Sequence, residues 1–280
     1  MRTAACCPPP GGSYGSAGFI LCALLAFLLA LFATMESVLS MAGGMDMPGG
    51  WRMSMMWMPM PGQGWTASFG MSLFMWAAMM TAMMLPSLAP KLLLFHRSLV
   101  WRRAPLAGLS TLGVALGYFT VWTAYGALVW VLGYSWAGFV MGFESLSRAV
   151  PMLTGAALVL AGAYQLLPWK KEGLNRCRTL LIYGPPKRRH KGDPEVKLMR
   201  WSGFGLSYQE GLGQGLNCAL CCSGAMLVMV VLGVMNLYVM VAVGTAIALE
   251  KLLPNPKLFV FLTGLLGLLA GAIILVKPFI

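Results

Sequence analysis

The sequence predicts an all-α fold, a polytopic transmembrane helical bundle of about seven spans with its N-terminus in the cytoplasm. Three observations predict it. Of 280 residues, 59% are hydrophobic and only 10% are charged, whereas soluble domains carry about 25% charged residues. Apolar runs near the roughly 20 residues that cross a bilayer recur along the chain. The basic residues lie between those runs and are biased to one side.

Residues 1–17, rich in Pro and Gly, are expected to form a disordered tail, and residues 18–280 a single transmembrane domain. Phe19 to Leu39 is the first span. A cleaved signal peptide is the competing reading, but no clean small-x-small site follows, which favours a retained helix. Residues 41–64 are then expected to be an external loop by their Gly and Pro content. Eight thioethers fall in this segment. Among them Met45, Met47, Met55 and Met56 are candidate ligands of a soft-metal collecting loop, with an interfacial Met and Trp surface as the alternative.

Trp65 to Phe95 is the second span. Along it Met75, Met79 and Met83 repeat at every fourth residue, a row that faces one groove for several turns. Pro86 and Pro90 are expected to break its inner end. Leu106 to Leu132 is the third span, whose Tyr118, Trp122, Tyr125 and Trp130 are read as packing and interface aromatics. A turn region, residues 133–148, leads to the fourth span, Val150 to Pro168. The cytoplasmic basic loop, residues 170–205, comes next and holds ten basic residues between Lys170 and Arg200. Tyr208 to Leu232 is the fifth span. Gly233 to Asn236 is so short that the fifth and sixth spans, the latter Leu237 to Leu252, must form an antiparallel hairpin. Leu258 to Val276 is the seventh.

With the N-terminus inside, 17 Lys and Arg residues are cytoplasmic and 3 are external, in line with the positive-inside rule. The 20 basic residues against 8 acidic ones therefore read as topogenic and lipid-facing, so the bilayer is the expected partner and nucleic acid is not. The predicted external face then lacks His, which excludes an imidazole site there.

The fifth span carries the sharpest pattern. Cys218, Cys221 and Cys222 fall at i, i+3 and i+4, and Met226 continues the face one turn on. Thiolates and thioethers favour Cu(I) over harder cations. Compact apolar packing is the alternative use of the same side chains. The candidate metal set is thus Cys218, Cys221, Cys222, Met226, Met75, Met79 and Met83 with the loop thioethers, provided spans two and five are neighbours. A Glu210 to Lys251 ion pair, or snorkelling of both at a helix end, is expected nearby. Gly205, Gly211, Gly213, Gly215 and Gly224 would let a neighbouring helix approach the Cys face.

Several fragments together resemble one family. They are Trp76 to Met80, Met84-Leu-Pro86-Ser87 through Pro90, Ala161 to Pro168, Cys177-Arg178, Gly215 through Cys218-x-x-Cys221-Cys222, Met235 through Met240, and Glu250-Lys251. In order and spacing they look like the predicted metal-binding integral membrane proteins, some of which are membrane copper chaperones for tyrosinase-like polyphenol oxidases. The resemblance covers residues 70–257 and implies copper handling without catalysis. It also implies a Cys near Gly173 and a Trp after the double Cys, where this chain has Gly173 and Ser223.

The reading is a bacterial inner-membrane protein that binds copper as Cu(I) and delivers or handles it for a membrane or periplasmic client. The alternative is a non-catalytic assembly subunit of a larger membrane complex, such as a copper oxidase or monooxygenase. A thiol redox enzyme using Cys218 and Cys221 is disfavoured, since no activating charge is evident beside them. The chain shows no nucleotide motif, which argues against pumping.

Overall fold

A computed structural model describes residues 12–40, 44–58, 64–101, 106–179, 204–253 and 256–276. Among these, eight α-helices account for nearly everything: α1 (Gly12–Ser40), α2 (Trp65–Trp101), α3 (Ala107–Gly142), α4 (Glu144–Leu166), α5 (Pro168–Thr179), α6 (Phe204–Leu232), α7 (Leu237–Leu252) and α8 (Lys257–Val276). Six of them, α1 to α4, α6 and α8, are long and apolar enough to cross a membrane. The sixth predicted span, α7, has the expected bounds but only 16 residues. At 1.5 Å per residue it is about 24 Å long, short of a hydrocarbon core of roughly 30 Å.

Three expectations are corrected by the helices. Pro86 and Pro90 lie inside a continuous α2. The carbonyls of Ala82 and Pro86, which the two prolines leave without a backbone donor, are tolerated within a helix of membrane-span type. The presumed turn at residues 133–148 is almost wholly helical, because α3 runs to Gly142 and α4 starts at Glu144, with extended Phe143 between them. The Met-rich segment also folds. Strands β1 (Gly44–Met47) and β2 (Trp51–Ser54) pair antiparallel, with Met45 opposite Met53 and Met47 opposite Trp51. Gly49 and Gly50, at φ of +108° and +74°, close the hairpin in the left-handed region that glycine enters without penalty.

The bundle is fastened by close approaches of small residues. Helix α3 packs on α6, α4 on α8, and α2 on α1, α3 and α7. At the α3–α6 crossing a Cβ on Gly211 would lie 2.2 Å from the Val114 carbonyl oxygen, and one on Gly117 would lie 2.2 Å from the Tyr208 oxygen. Backbones meet there as in small-residue membrane packing. Gly211 and Gly215 face α3, Gly224 faces Tyr164 of α4, and Gly205 and Gly213 face open space. Between α2 and α3 the Trp76 ring fills the site left by Gly126, and its Nε1–H donates to the Trp122 carbonyl at 3.0 Å.

The hairpin is seated on the α3–α4 end. Trp51 Nε1–H donates to the Ser147 carbonyl at 2.9 Å, and the Ser147 hydroxyl donates to the Pro48 carbonyl at 2.8 Å. Trp57 packs into the space beside Gly133.

Candidate functional site

Cys218 stands at the centre of α6, and its i, i+3, i+4 partners Cys221 and Cys222 share its buried face, all three at 2–3% exposure. Cys218 Sγ lies 3.9 Å from Cys222 Sγ. A fourth thiol comes from outside the spans. Helix α5 packs on α6 and α7 and carries Cys177, which is buried. Cys177 borders the same cavity as Cys218 and shares a core with Cys221, and the neighbouring thiols together with burial raise its pKa above the ordinary thiol value. Lys91 of α2 donates to the Cys177 carbonyl oxygen.

Around Cys218 are groups of a different kind. Tyr118 of α3 holds its hydroxyl 2.9 Å from Cys218 Sγ. Lys251 of α7 donates from Nζ to the same sulfur at 2.9 Å and reaches Met84 Sδ at 3.8 Å, which corrects the expectation that no charge stands beside the thiols. A small cavity opens here, lined by Ser87, Leu88, Lys91, Tyr118, Cys177, Gln214, Asn217, Cys218 and Lys251. The space open to the centre of a water-sized guest is about 20 Å³, enough for one such guest. Among the described residues no three His, Cys, Asp or Glu side chains form a ready metal cage. Low-coordinate binding by two sulfurs is the chemistry this cluster offers, and that suits a soft monovalent ion.

The expected Glu210 to Lys251 pair is not made, and neither residue's partner is the one anticipated. Cys218 lies 14 residues before the end of α6 at Leu232, and Lys251 lies 14 residues after the start of α7 at Leu237. The turn between these helices therefore puts Lys251 level with Cys218, two turns away from Glu210. Glu210 instead accepts from Gln214 Nε2 at 3.3 Å. Snorkelling does not describe Lys251 either, because it is 4% exposed. Glu250, its neighbour, accepts from Lys170 Nζ of α5 at 2.7 and 2.9 Å and from Thr263 of α8 at 3.3 Å. This buried ion pair pins α5, and with it Cys177, against the α7–α8 junction.

The predicted thioethers separate into two groups. Met75, Met79 and Met83 are buried on α2 together with Met80 and Met84, and they belong to one core with Met226 and the thiols. Met83 packs toward Gly244 of α7, its Cγ 3.4 Å from where a Cβ there would stand. The backbones of α2 and α6 stay apart, and their side chains share one core that α3, α7 and the Lys251 side chain complete. In the hairpin, Met56 is buried in that same core, and Met53 is buried in a separate cluster with Ala137 and Val140. Met45 is exposed, and Met47 and Met55 are half-buried. Met41 and Met60 lie outside the described residues, as do His190 and most of the basic loop, residues 180–203. His96 faces Thr111 and stacks on Phe19, away from the thiols.

Tyr118, Lys91 and Lys251 were not among the candidates from sequence. Tyr118 was read as a packing aromatic, and it is buried as such, but its hydroxyl reaches the thiol. A usable signal existed for Lys251 in the equal spacing of Cys218 and Lys251 from the turn. Gly173, the position where the family resemblance implies a Cys, borders the cluster: a Cβ there would be 3.7 Å from Cys221 Cβ.

The fold and the site thus define a helical bundle of membrane-span type whose interior gathers four thiols around a buried lysine. The PpoB2 copper chaperone family matches residues 73–274, and the chain belongs to that family. The matched segment holds α2 from Leu73 onward, the whole thiol cluster and nearly all of α8; α1 and the Met hairpin precede it. No curated protein and no solved structure matches the chain. A copper chaperone serves a protein client, and copper handling is the role the family carries.

Proposed function

We propose that this protein resides in the bacterial inner membrane, with its N-terminus in the cytoplasm, and holds Cu(I) in transit on the cluster of Cys177, Cys218, Cys221 and Cys222. The observation that carries the reading is the convergence of these thiols from two separate helices, α5 and α6, onto one buried region. An apolar interface needs no such convergence of sulfur. Cys218 with Cys222 or Cys177 supplies two soft ligands, and the remaining thiols offer a second pair for handover. Exchange among equivalent sulfurs keeps each step shallow, which suits delivery rather than storage.

The buried α2 row of Met75, Met79 and Met83, with Met226 of α6, lines the same core and gives weaker thioether stations toward the Met hairpin. Met45, Met47, Met55 and Met56 then serve as the collecting end on the external face, where the positive-inside count places them. The client is a membrane or periplasmic copper protein, and the resemblance to chaperones of tyrosinase-like enzymes favours an oxidase of that kind.

Metal analysis of purified protein tests the proposal. Wild type is expected to hold about one tightly bound copper per chain, and Cys218→Ser with Cys222→Ser to lose it. Unchanged stoichiometry in the double variant would overturn the thiol site.

A further inference from the structure

We infer that Lys251 is the counter-cation of a two-thiolate Cu(I) complex, and that this charge balance selects a monovalent soft ion. The inference rests on the copper-binding reading and adds the ligand set and its electrostatics. Lys251 is 4% exposed and points its ammonium at Cys218 Sγ, 2.9 Å away. The nearest carboxylate in sequence, Glu250, is committed to Lys170 and Thr263. None of the described residues lining the cavity is acidic, and the other cation there, Lys91, is turned to the Cys177 carbonyl oxygen. A buried charge without a partner is costly. The partner on offer to Lys251 is sulfur.

Charge counting then separates the possible cargoes. When Cu(I) binds, two S–H bonds are replaced by two S–Cu bonds, both protons leave, and no electrons move. The complex carries one negative charge, which Lys251 neutralises. One thiolate with thioethers would give a neutral complex and leave Lys251 unbalanced. A divalent ion on two thiolates is also neutral and gains nothing from the lysine. Cys218 is therefore one ligand, with Cys177 or Cys222 as the other, and Lys251 is a positioning residue that does not touch the metal.

Linear two-thiolate Hg(II) has the same shape as the Cu(I) complex and one more unit of positive charge, so it isolates the electrostatic part. Full-length wild type, Lys251→Gln and Lys251→Arg are titrated with Cu(I) against a competing chelator, and separately with Hg(II). Lys251→Gln is expected to weaken Cu(I) binding at least about 100-fold, toward the scale of breaking a buried charge pair. Hg(II) binding should change little, and Lys251→Arg should restore most of the Cu(I) affinity. Unchanged Cu(I) affinity in Lys251→Gln would overturn the inference, and so would equal loss of both metals, which marks a structural role. Wild type that binds no Cu(I) would overturn the copper reading and this inference together.

Discussion

The ammonium of Lys251 and the thiol of Cys218 stand 2.9 Å apart, level with each other on the two arms of the α6–α7 hairpin. The turn sets this register. Asn236 caps α7 by accepting from the backbone N–H groups of Tyr238 and Val239 at 3.0 and 3.3 Å, and Gly233 turns the chain at φ of +109°. Inserting one residue in this turn rotates α7 by about 100°. We expect such an insertion to weaken copper binding while leaving helix content by circular dichroism intact.

Cys177 couples α5 to the site. Cys177→Ser keeps size and hydrogen bonding but removes the sulfur, so copper affinity should fall at least about 10-fold, the lower end of losses seen when groups around a metal are altered. Competition titration measures it, and an unchanged affinity would restrict the site to α6.

The Lys170–Glu250 pair, at 1% and 4% side-chain exposure, holds α5 in place. Removing one partner leaves a buried charge, so Lys170→Met should cost about 3–5 kcal/mol. Lys170→Met with Glu250→Met should recover much of that in thermal or denaturant unfolding. Equal destabilisation by the single and double variants would contradict a direct pairing.

Gly211 allows α3 and α6 to touch through their backbones. An Ala there places its Cβ 2.2 Å from the Val114 oxygen, and the overpacking should cost about 1–3 kcal/mol. Gly213→Ala, facing open space, is the control and should unfold at the wild-type temperature or slightly above.

Gly173→Cys would set a fifth sulfur beside Cys221. Raised copper affinity or a second bound ion is expected from metal analysis, and no change would mean that the α5 face contributes through Cys177 alone.

Hydropathy made the spanning helices legible, because a bilayer demands long apolar runs whatever their packing, but not α5, whose charged residues 170–179 read as the start of the basic loop. The hairpin at residues 44–54 was less so: its Gly and Pro content reads as a loop, although Gly49-Gly50 between two short Met and Trp runs is also a hairpin signal. The α3–α4 boundary was hidden because Gly133, Gly138 and Gly142 suggest turns, whereas in the helix Gly133 makes room for Trp57 and Gly138 and Gly142 face open space. At the site, Cys218, Cys221 and Cys222 were visible through their helical spacing. Cys177 stood out as a cytosolic metal contact and in a family-like fragment, and Tyr118 as a packing aromatic, but their approach to Cys218 was not visible, since it depends on how α5 and α3 dock. Lys251 was visible as a charge in an apolar helix, and the Glu210 partner assigned to it ignored the register of the turn.

Copper K-edge X-ray absorption on the loaded wild-type protein tests the central claim most directly. The account predicts a Cu(I) edge with two sulfur neighbours in the first shell, and no bound copper in Cys218→Ser with Cys222→Ser. A Cu(II) edge, or a first shell of nitrogen and oxygen, would contradict it.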